Sequence, residues 1–274
     1  MRKYWLLFSL LLCFTLILSA CGKDDDKKEN KTEDKAEKTE TDLLARVKDD
    51  GKILIGTEGT YPPFTFHDTN GKLTGFDVEL AQEVAKRLGV KAEFKETQWD
   101  ALFAGLDAKR FDMIANEVGI RPDRQKKYEF SDPYIKSSAV LVVREDNNTV
   151  KKFADIKGLN SAQSLTSNYG DMAKKYGAKL IGVEGFQQAA ELLVQKRVDV
   201  TINDNIAYLD YRKQKPDAPI KIVATSKSAS ASGFMFRKKS ETLVDEVNKA
   251  LKEIVDDGTY EKISKKWFGE NVLK

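Results

Sequence analysis

Few side chains in this 274-residue chain are able to do covalent or metal chemistry. There is one histidine, His67, and there are two cysteines, Cys13 and Cys21, both near the N-terminus. That inventory excludes a cysteine nucleophile and a thiolate metal site from the rest of the chain. No nucleophile–base pair is visible either, so no enzyme activity, no metal and no cofactor is expected. What remains is the chemistry of recognition, in which carboxylates, guanidinium groups and aromatic rings hold a ligand without changing it. Taken alone, these residues have plain readings. Arg124, within Arg121-Pro-Asp-Arg-Gln-Lys-Lys127, reads as a surface helix arginine. Asp204 reads as the N-cap of a helix that begins near Ile206, and Phe64 reads as a core side chain.

The elements that must position such residues alternate in type. Lys52–Gly56 is a short β-rich run, and Asn70-Gly71 marks a tight hairpin turn after Phe64-Thr-Phe66. From Phe76, apolar residues at Leu80, Ala81, Val84, Ala85 and Leu88 fall on one helical face, which Gly89 closes. A strand over 90–94, a helix over 100–108 and a buried strand over 111–115 follow. The grammar then repeats: strands at 140–143, 180–183 and 198–202, and helices at 169–176, 186–196 and 206–213. Helices over 242–256 and 260–267, broken at Gly258, end the chain. Such alternation predicts an α/β protein of two lobes with mostly parallel sheets flanked by helices. Lys+Arg 46 against Asp+Glu 43 gives a net charge of only +3, which offers no electrostatic footing for nucleic acid.

The N-terminus sets the expected compartment. Arg2 and Lys3 precede an apolar stretch from Trp5 to Leu18, which leads into Ser19, Ala20, Cys21 and Gly22. A positive flank, a short apolar run and small residues before a cut site describe a signal peptide over 1–20. The stretch is short for a membrane-spanning helix, which needs about 20 residues. Leu18-Ser-Ala-Cys21 is similar to the lipobox of bacterial lipoproteins, which implies acylation of Cys21 and a lipid anchor on the extracytoplasmic face of the cell membrane. Residues 21–41 are almost all charged or polar and cannot bury enough apolar surface to fold, so they read as a tether.

From Gly75 the chain reads GFDVELAQEVAKRL, and it resembles the bacterial extracellular solute-binding proteins of family 3, which serve polar amino-acid importers. Other landmarks follow the same order: Glu58-Gly-Thr-Tyr-Pro-Pro-Phe64, Trp99-Asp100, Arg121-Pro-Asp-Arg124, Phe130-Ser-Asp-Pro-Tyr134 and Lys266-Trp-Phe-Gly269. The resemblance implies a type II periplasmic-binding-protein fold, two lobes joined by two crossover strands with ligand between them. Lobe one would take 42–138 and 232–274, and lobe two 139–231. A permease and ATPase complex would be the partner, and the chain is expected to be a monomer.

A free amino acid presents a carboxylate and an ammonium, so a cleft that reads both needs a cation and an anion. By resemblance, Arg124 stands in the place of the carboxylate-binding arginine and Asp204 in that of the ammonium-binding acid. Tyr61, Phe64 and Trp99 fall where rings stack on ligand. Asn116, Thr166, Ser167 and Asn168 would complete the site, the last three at a predicted helix start that favours an anion. The chain departs from the family pattern at Gly119, where a hydroxyl is usual, and at Thr166, where glycine is usual.

The sequence resembles the cystine-binding members most in Gly71-Lys-Leu-Thr-Gly-Phe76, Asn168-Tyr169 and Ala115-Asn-Glu-Val118, with Glu117 in place of glutamine. Cystine has two ammonium groups, and Glu58 and Glu117 could receive the far one. Glutamine, arginine and lysine are the alternatives. Readings of other classes are a ligand sensor and a cyclohexadienyl-dehydratase-like enzyme, in which Glu117 would act as an acid.

Overall fold

The computed structural model describes residues 42–273, so the expected signal peptide, Cys21 and the tether lie outside the described residues. The helix expected from Phe76 runs Phe76–Arg87, and Leu80, Ala81, Val84, Ala85 and Leu88 are all buried. Burying a side chain of leucine size contributes roughly 1.5–3 kcal/mol, so this stripe is enough to fix the helix on its sheet. Gly75 precedes it at φ 129, and a Cβ there would lie 2.2 Å from the carbonyl oxygen of Phe64. Only glycine allows that approach. The hairpin also forms: Thr65–His67 pairs antiparallel with Leu73–Thr74, and the Asp68 carboxylate accepts the N–H groups of Asn70 and Lys72 within the turn.

Two five-stranded sheets organise the described residues. In the first, the order is Lys91–Glu96, Lys52–Thr57, Met113–Ile114, Met235–Arg237, Tyr128–Phe130. In the second, it is Lys179–Gly182, Asn160–Gln163, Val200–Asp204, Ala139–Arg144, Ile220–Thr225. Each sheet is mixed: three strands in parallel pairs, a fourth antiparallel to them, and a fifth that pairs antiparallel with the fourth and so runs with the first three. The fourth strand of each sheet, Met235–Arg237 or Ala139–Arg144, is the one the chain enters directly from Ser230–Ser232 or Ile135–Ser137 with no helix between. The two lobes are linked by Ile135–Ser137 and Ser230–Ser232, which pair antiparallel with each other.

Element boundaries differ by one or two residues from the sequence expectations. The helix expected over 100–108 is Trp99–Asp107, and the one expected over 169–176 is Asn168–Lys175, capped by the Ser167 hydroxyl accepting from the Gly170 N–H. The strand expected over 111–115 is only Met113–Ile114. Asp112, just before it, exchanges its backbone N–H and its carboxylate with Leu54, which takes that residue out of the regular ladder.

The lobes meet across the cleft. The Tyr61 hydroxyl donates to Asn203 at 2.9 Å, Thr166 Oγ1 donates to Asp100 at 2.6 Å, and Arg121 reaches Asp171 at 2.8 Å. Each joins one lobe to the other, so the structure is that of the lobes drawn together.

Candidate ligand-binding site

The six parallel strands of the two sheets all point their C-terminal ends at the cleft, where ligands bind in open α/β sheets. In lobe one, Lys52–Thr57 leads to Glu58 and Tyr61, Lys91–Glu96 leads to Trp99, and Met113–Ile114 leads to Asn116 and Glu117. In lobe two, Asn160–Gln163 leads to Ser164, Ser167 and Asn168, Lys179–Gly182 to Gly185 and Phe186, and Val200–Asp204 ends on Asn203. These residues line one pocket between the lobes, a concave place of the kind small molecules occupy.

The acids around the cavity are bonded, with Glu58 and Asp204 buried and Glu117 half-buried. Glu58 accepts from Asn116 Nδ2 at 2.6 Å and from Thr60 Oγ1 at 3.3 Å, while Asn116 Oδ1 accepts the Glu58 N–H at 2.8 Å. Glu117 accepts from the Ser232 hydroxyl at 3.1 Å and from Tyr61 at 3.4 Å. Asp204 accepts from Ser137 at 2.9 Å, from the Ile206 N–H at 2.7 Å and from Tyr169 at 3.1 Å. It is therefore both the helix N-cap and a buried acid beside the cleft. Burial pushes Glu58 up to about 7 and Asp204 up to about 6, against the relief those bonds give. Burial raises Glu117 well above the usual carboxylate range, and the nearby Asp204 and Asp77 charges add to it. A cation beside them would make these groups more acidic. Among the described residues, no group of three or more His, Cys, Asp or Glu side chains is placed to hold a metal ion. An organic ammonium fits these acids.

The opposite charge is Arg124, 6% exposed, in the short helix Pro122–Gln125. Its Nη1 donates to the Gly119 carbonyl at 3.1 Å, but its buried Nη2 has no partner. The guanidinium lies over the rings of Trp99 and Phe103, 5.5 and 5.2 Å from their centroids, and the two rings meet edge to face. Burial, with Arg121 nearby, lowers it to about 10, so it stays charged at neutral pH. A buried guanidinium with an unused donor calls for an anion. Trp99 lines the cavity itself, and its own buried Nε1 is likewise without a partner.

The sequence-predicted residues divide into three groups. Glu58, Tyr61, Trp99, Asn116, Glu117, Ser167 and Asn168 line the cavity. Arg124, Asp204 and Gly119 stand directly behind it: Arg124 bonds Gly119, Asp204 bonds the lining residue Tyr169, and a Cβ on Gly119 would lie 3.7 Å from Arg124 Nη1 and 4.0 Å from Asn168 Nδ2. Phe64 and Thr166 lie elsewhere. Phe64 is wholly buried, 5.1 Å from Tyr61 and 6.1 Å from Phe268, and supports Tyr61 from the core. Thr166 is exposed and bonds Asp100 across the lobes. Five lining residues escaped the sequence reading: Ser164, Tyr169, Gly185, Phe186 and Asn203. All lie just past, or at, the end of a parallel strand, which is the signal that could have found them.

The model of the bacterial extracellular solute-binding proteins, family 3, matches residues 53–270. The L-cystine-binding protein TcyA of Bacillus subtilis is 52% identical, over 97% of this chain and 99% of that protein. Among solved structures, the L-cystine solute receptor of Neisseria gonorrhoeae in its unliganded open conformation is 48% identical, with TM-score 0.56 over 84% of this chain and 98% of that one. An ancestral arginine-binding protein bound to arginine is 40% identical, with TM-score 0.77 over 80% of this chain and 99% of that one. The more similar sequence thus superimposes less well when its lobes are open, in keeping with the bonded cleft described above.

Proposed function

Because the chain belongs to the bacterial extracellular solute-binding proteins, family 3, we propose that it is the substrate-binding component of an amino-acid ABC importer and that it captures L-cystine between its lobes. The observation that carries this reading is the presence of an unsatisfied buried guanidinium, Arg124, together with two buried acids, Glu58 and Asp204, and the half-buried Glu117. A zwitterion is the ligand class that answers both. In this reading, Arg124 holds a carboxylate and Asp204 the adjacent ammonium, while Glu58 and Glu117 receive the far ammonium of cystine. Tyr61 and Trp99 wall the ligand, and Asn116, Ser167 and Asn168 supply polar contacts. Two or three charge-assisted hydrogen bonds of roughly 1.5–3 kcal/mol each, added to apolar burial, suffice for about −8 kcal/mol, a micromolar affinity.

It acts outside the cytoplasm, as its family does. We infer further that Cys21 carries a lipid anchor, that residues 21–41 tether the folded part, and that a monomer delivers ligand to its permease and ATPase. Lobe one is taken as 42–138 with 232–274 and lobe two as 139–231, which follows the membership of the two sheets. The chain is read as a binding protein and not as an enzyme, in line with the relatives it resembles.

One observation favours a second ligand class. Three acids face one guanidinium, so a basic amino acid would neutralise the site more fully than a neutral one. Calorimetric titration of the purified protein with L-cystine, L-arginine, L-lysine and L-glutamine separates the two. Tight binding of cystine alone supports the first reading, and preference for arginine or lysine replaces it with the second. Binding of none defeats both.

A further inference from the structure

Asp77 belongs to the GFDVEL segment, yet it does not line the cavity. It is wholly buried, and a carboxylate is an expensive occupant for such a position unless its acceptors are needed. Two donors converge on one of its oxygens. The backbone N–H of Glu117 donates to Asp77 Oδ2, and the Tyr134 hydroxyl donates to the same oxygen at 2.9 Å. The other oxygen, Oδ1, is buried without a partner. Asp77 thus serves through one atom alone.

What that atom holds is unusual. Glu117 has φ 48, a left-handed conformation that costs free energy for any residue with a Cβ. In that conformation, its side chain lines the ligand cavity and is gripped by Ser232 at 3.1 Å. Ser232 lies on the second crossover strand, and its carbonyl accepts the Tyr134 N–H at 3.0 Å. The carboxylate of Asp77 therefore closes a circuit through Glu117, Ser232 and Tyr134 where both crossovers leave lobe one.

We propose that Asp77 is a positioning residue for ligand selectivity: by accepting the Glu117 N–H it keeps residue 117 left-handed and so presents the Glu117 carboxylate to the far cationic group of the ligand. The inference rests on the reading of the cavity as an amino-acid site. It also explains why a side chain with an acceptor oxygen, and not an apolar one, stands at this buried position.

Titration calorimetry of the purified protein with L-cystine and with L-arginine tests it in five forms: wild type, Glu117→Gln, Asp77→Ser, the double variant and Asp77→Asn. Asp77→Ser is expected to weaken binding about tenfold in the wild-type chain and less than about twofold once residue 117 is Gln, because the two residues act as one unit. The amide oxygen of Asp77→Asn can accept both donors, so this variant should rescue affinity to within about twofold of wild type. A purely structural role would lower Tm and leave this pattern absent. Equal losses in both backgrounds, or no loss with Asp77→Ser, overturn the proposal. Should Asp77→Ser not fold, Asp77→Asn decides alone, since a tenfold loss there means that charge, and not the accepted bonds, is what matters. Unchanged affinity in Glu117→Gln removes Glu117 from the ligand and defeats the underlying assignment, whereas a loss there with none in Asp77→Ser defeats only the role of Asp77.

Discussion

Across the cleft, the Tyr61 hydroxyl donates to the side-chain oxygen of Asn203 at 2.9 Å. Tyr61 follows the first strand of lobe one and Asn203 lies at the end of a lobe-two strand, so the bond exists only while the lobes are together. Asn203 Oδ1 also accepts the Asp204 N–H at 2.8 Å, which fixes it facing the cleft and ties it to the acid beside the ligand. Tyr61→Phe keeps the ring against Phe64 and removes only the hydroxyl. The expected result is affinity about fivefold weaker, near the ~1 kcal/mol of a typical hydrogen bond. Calorimetry measures it, and unchanged affinity would show that closure draws nothing from this bond.

Arg124 is expected to be far less replaceable. Removing it as Arg124→Ala leaves the ligand carboxylate without its buried partner, at a cost of roughly 2–5 kcal/mol. Arg124→Lys retains charge but lacks the planar fork, and a compact ammonium would not lie over Trp99 and Phe103 as the guanidinium does. Both variants should therefore bind at least about thirtyfold more weakly. Wild-type affinity in either would sink the carboxylate assignment.

The contrast between Arg124 and Phe64 shows how much of this was legible. Arg124 reads as a surface residue by local sequence, because Lys126 and Lys127 follow it and only tertiary partners, Trp99 and Phe103, take it out of solvent. The motif context gives it a ligand role that spacing does not, and its burial against Trp99 and Phe103 agrees with an interior position. Phe64 was assigned to the ligand by the same context, but the neighbouring Phe268, from the far end of the chain, claims its ring for the core. Long helices such as Phe76–Arg87 were plain, since an apolar stripe of that length has one solution. Short strands such as Ile135–Ser137 and Ser230–Ser232 were not, because three residues carry no period and their pairing depends on each other. Asn203 and Phe186 were missed for a related reason: a residue at a strand end enters the site only through the sheet order, which the sequence does not print.

The N-terminus yields a prediction independent of the cleft. If Cys21 is the acylated residue, Cys21→Ala should leave the protein soluble after cell fractionation while wild type sediments with membranes. Ligand affinity of the released protein should match wild type, since Cys21 is separated from the folded part by the polar stretch up to residue 41. A variant that stays with the membrane would refute the lipobox reading.

The buried acids make a pH signature whose sign can be worked out. Glu58 and Asp77 are raised to about 7 and Asp204 to about 6 in the folded chain, and an unfolded carboxyl titrates near about 4. Between these values the folded state binds more protons than the unfolded one, so stability falls as pH rises. Their contribution is fully present below about pH 4 and is lost as pH climbs through 6 to 7. Glu93 and Asp257 are lowered to about 2 by their surface partners, and their stabilisation fails only at far lower pH, so the window from 5 to 8 belongs to the buried group. Without ligand, Tm should drop by roughly 5 °C or more between pH 5 and pH 8. Ligand reverses the trend, because its ammonium takes the place of the protons and binds best when the acids are ionised. The rise in Tm on adding L-cystine or L-arginine should therefore grow from pH 5 to pH 8, and Glu58→Gln should flatten the unliganded curve. A flat unliganded Tm over that window would mean that the acids are ionised in the closed protein without any cation beside them, and the electrostatic account of the cleft would have to be abandoned.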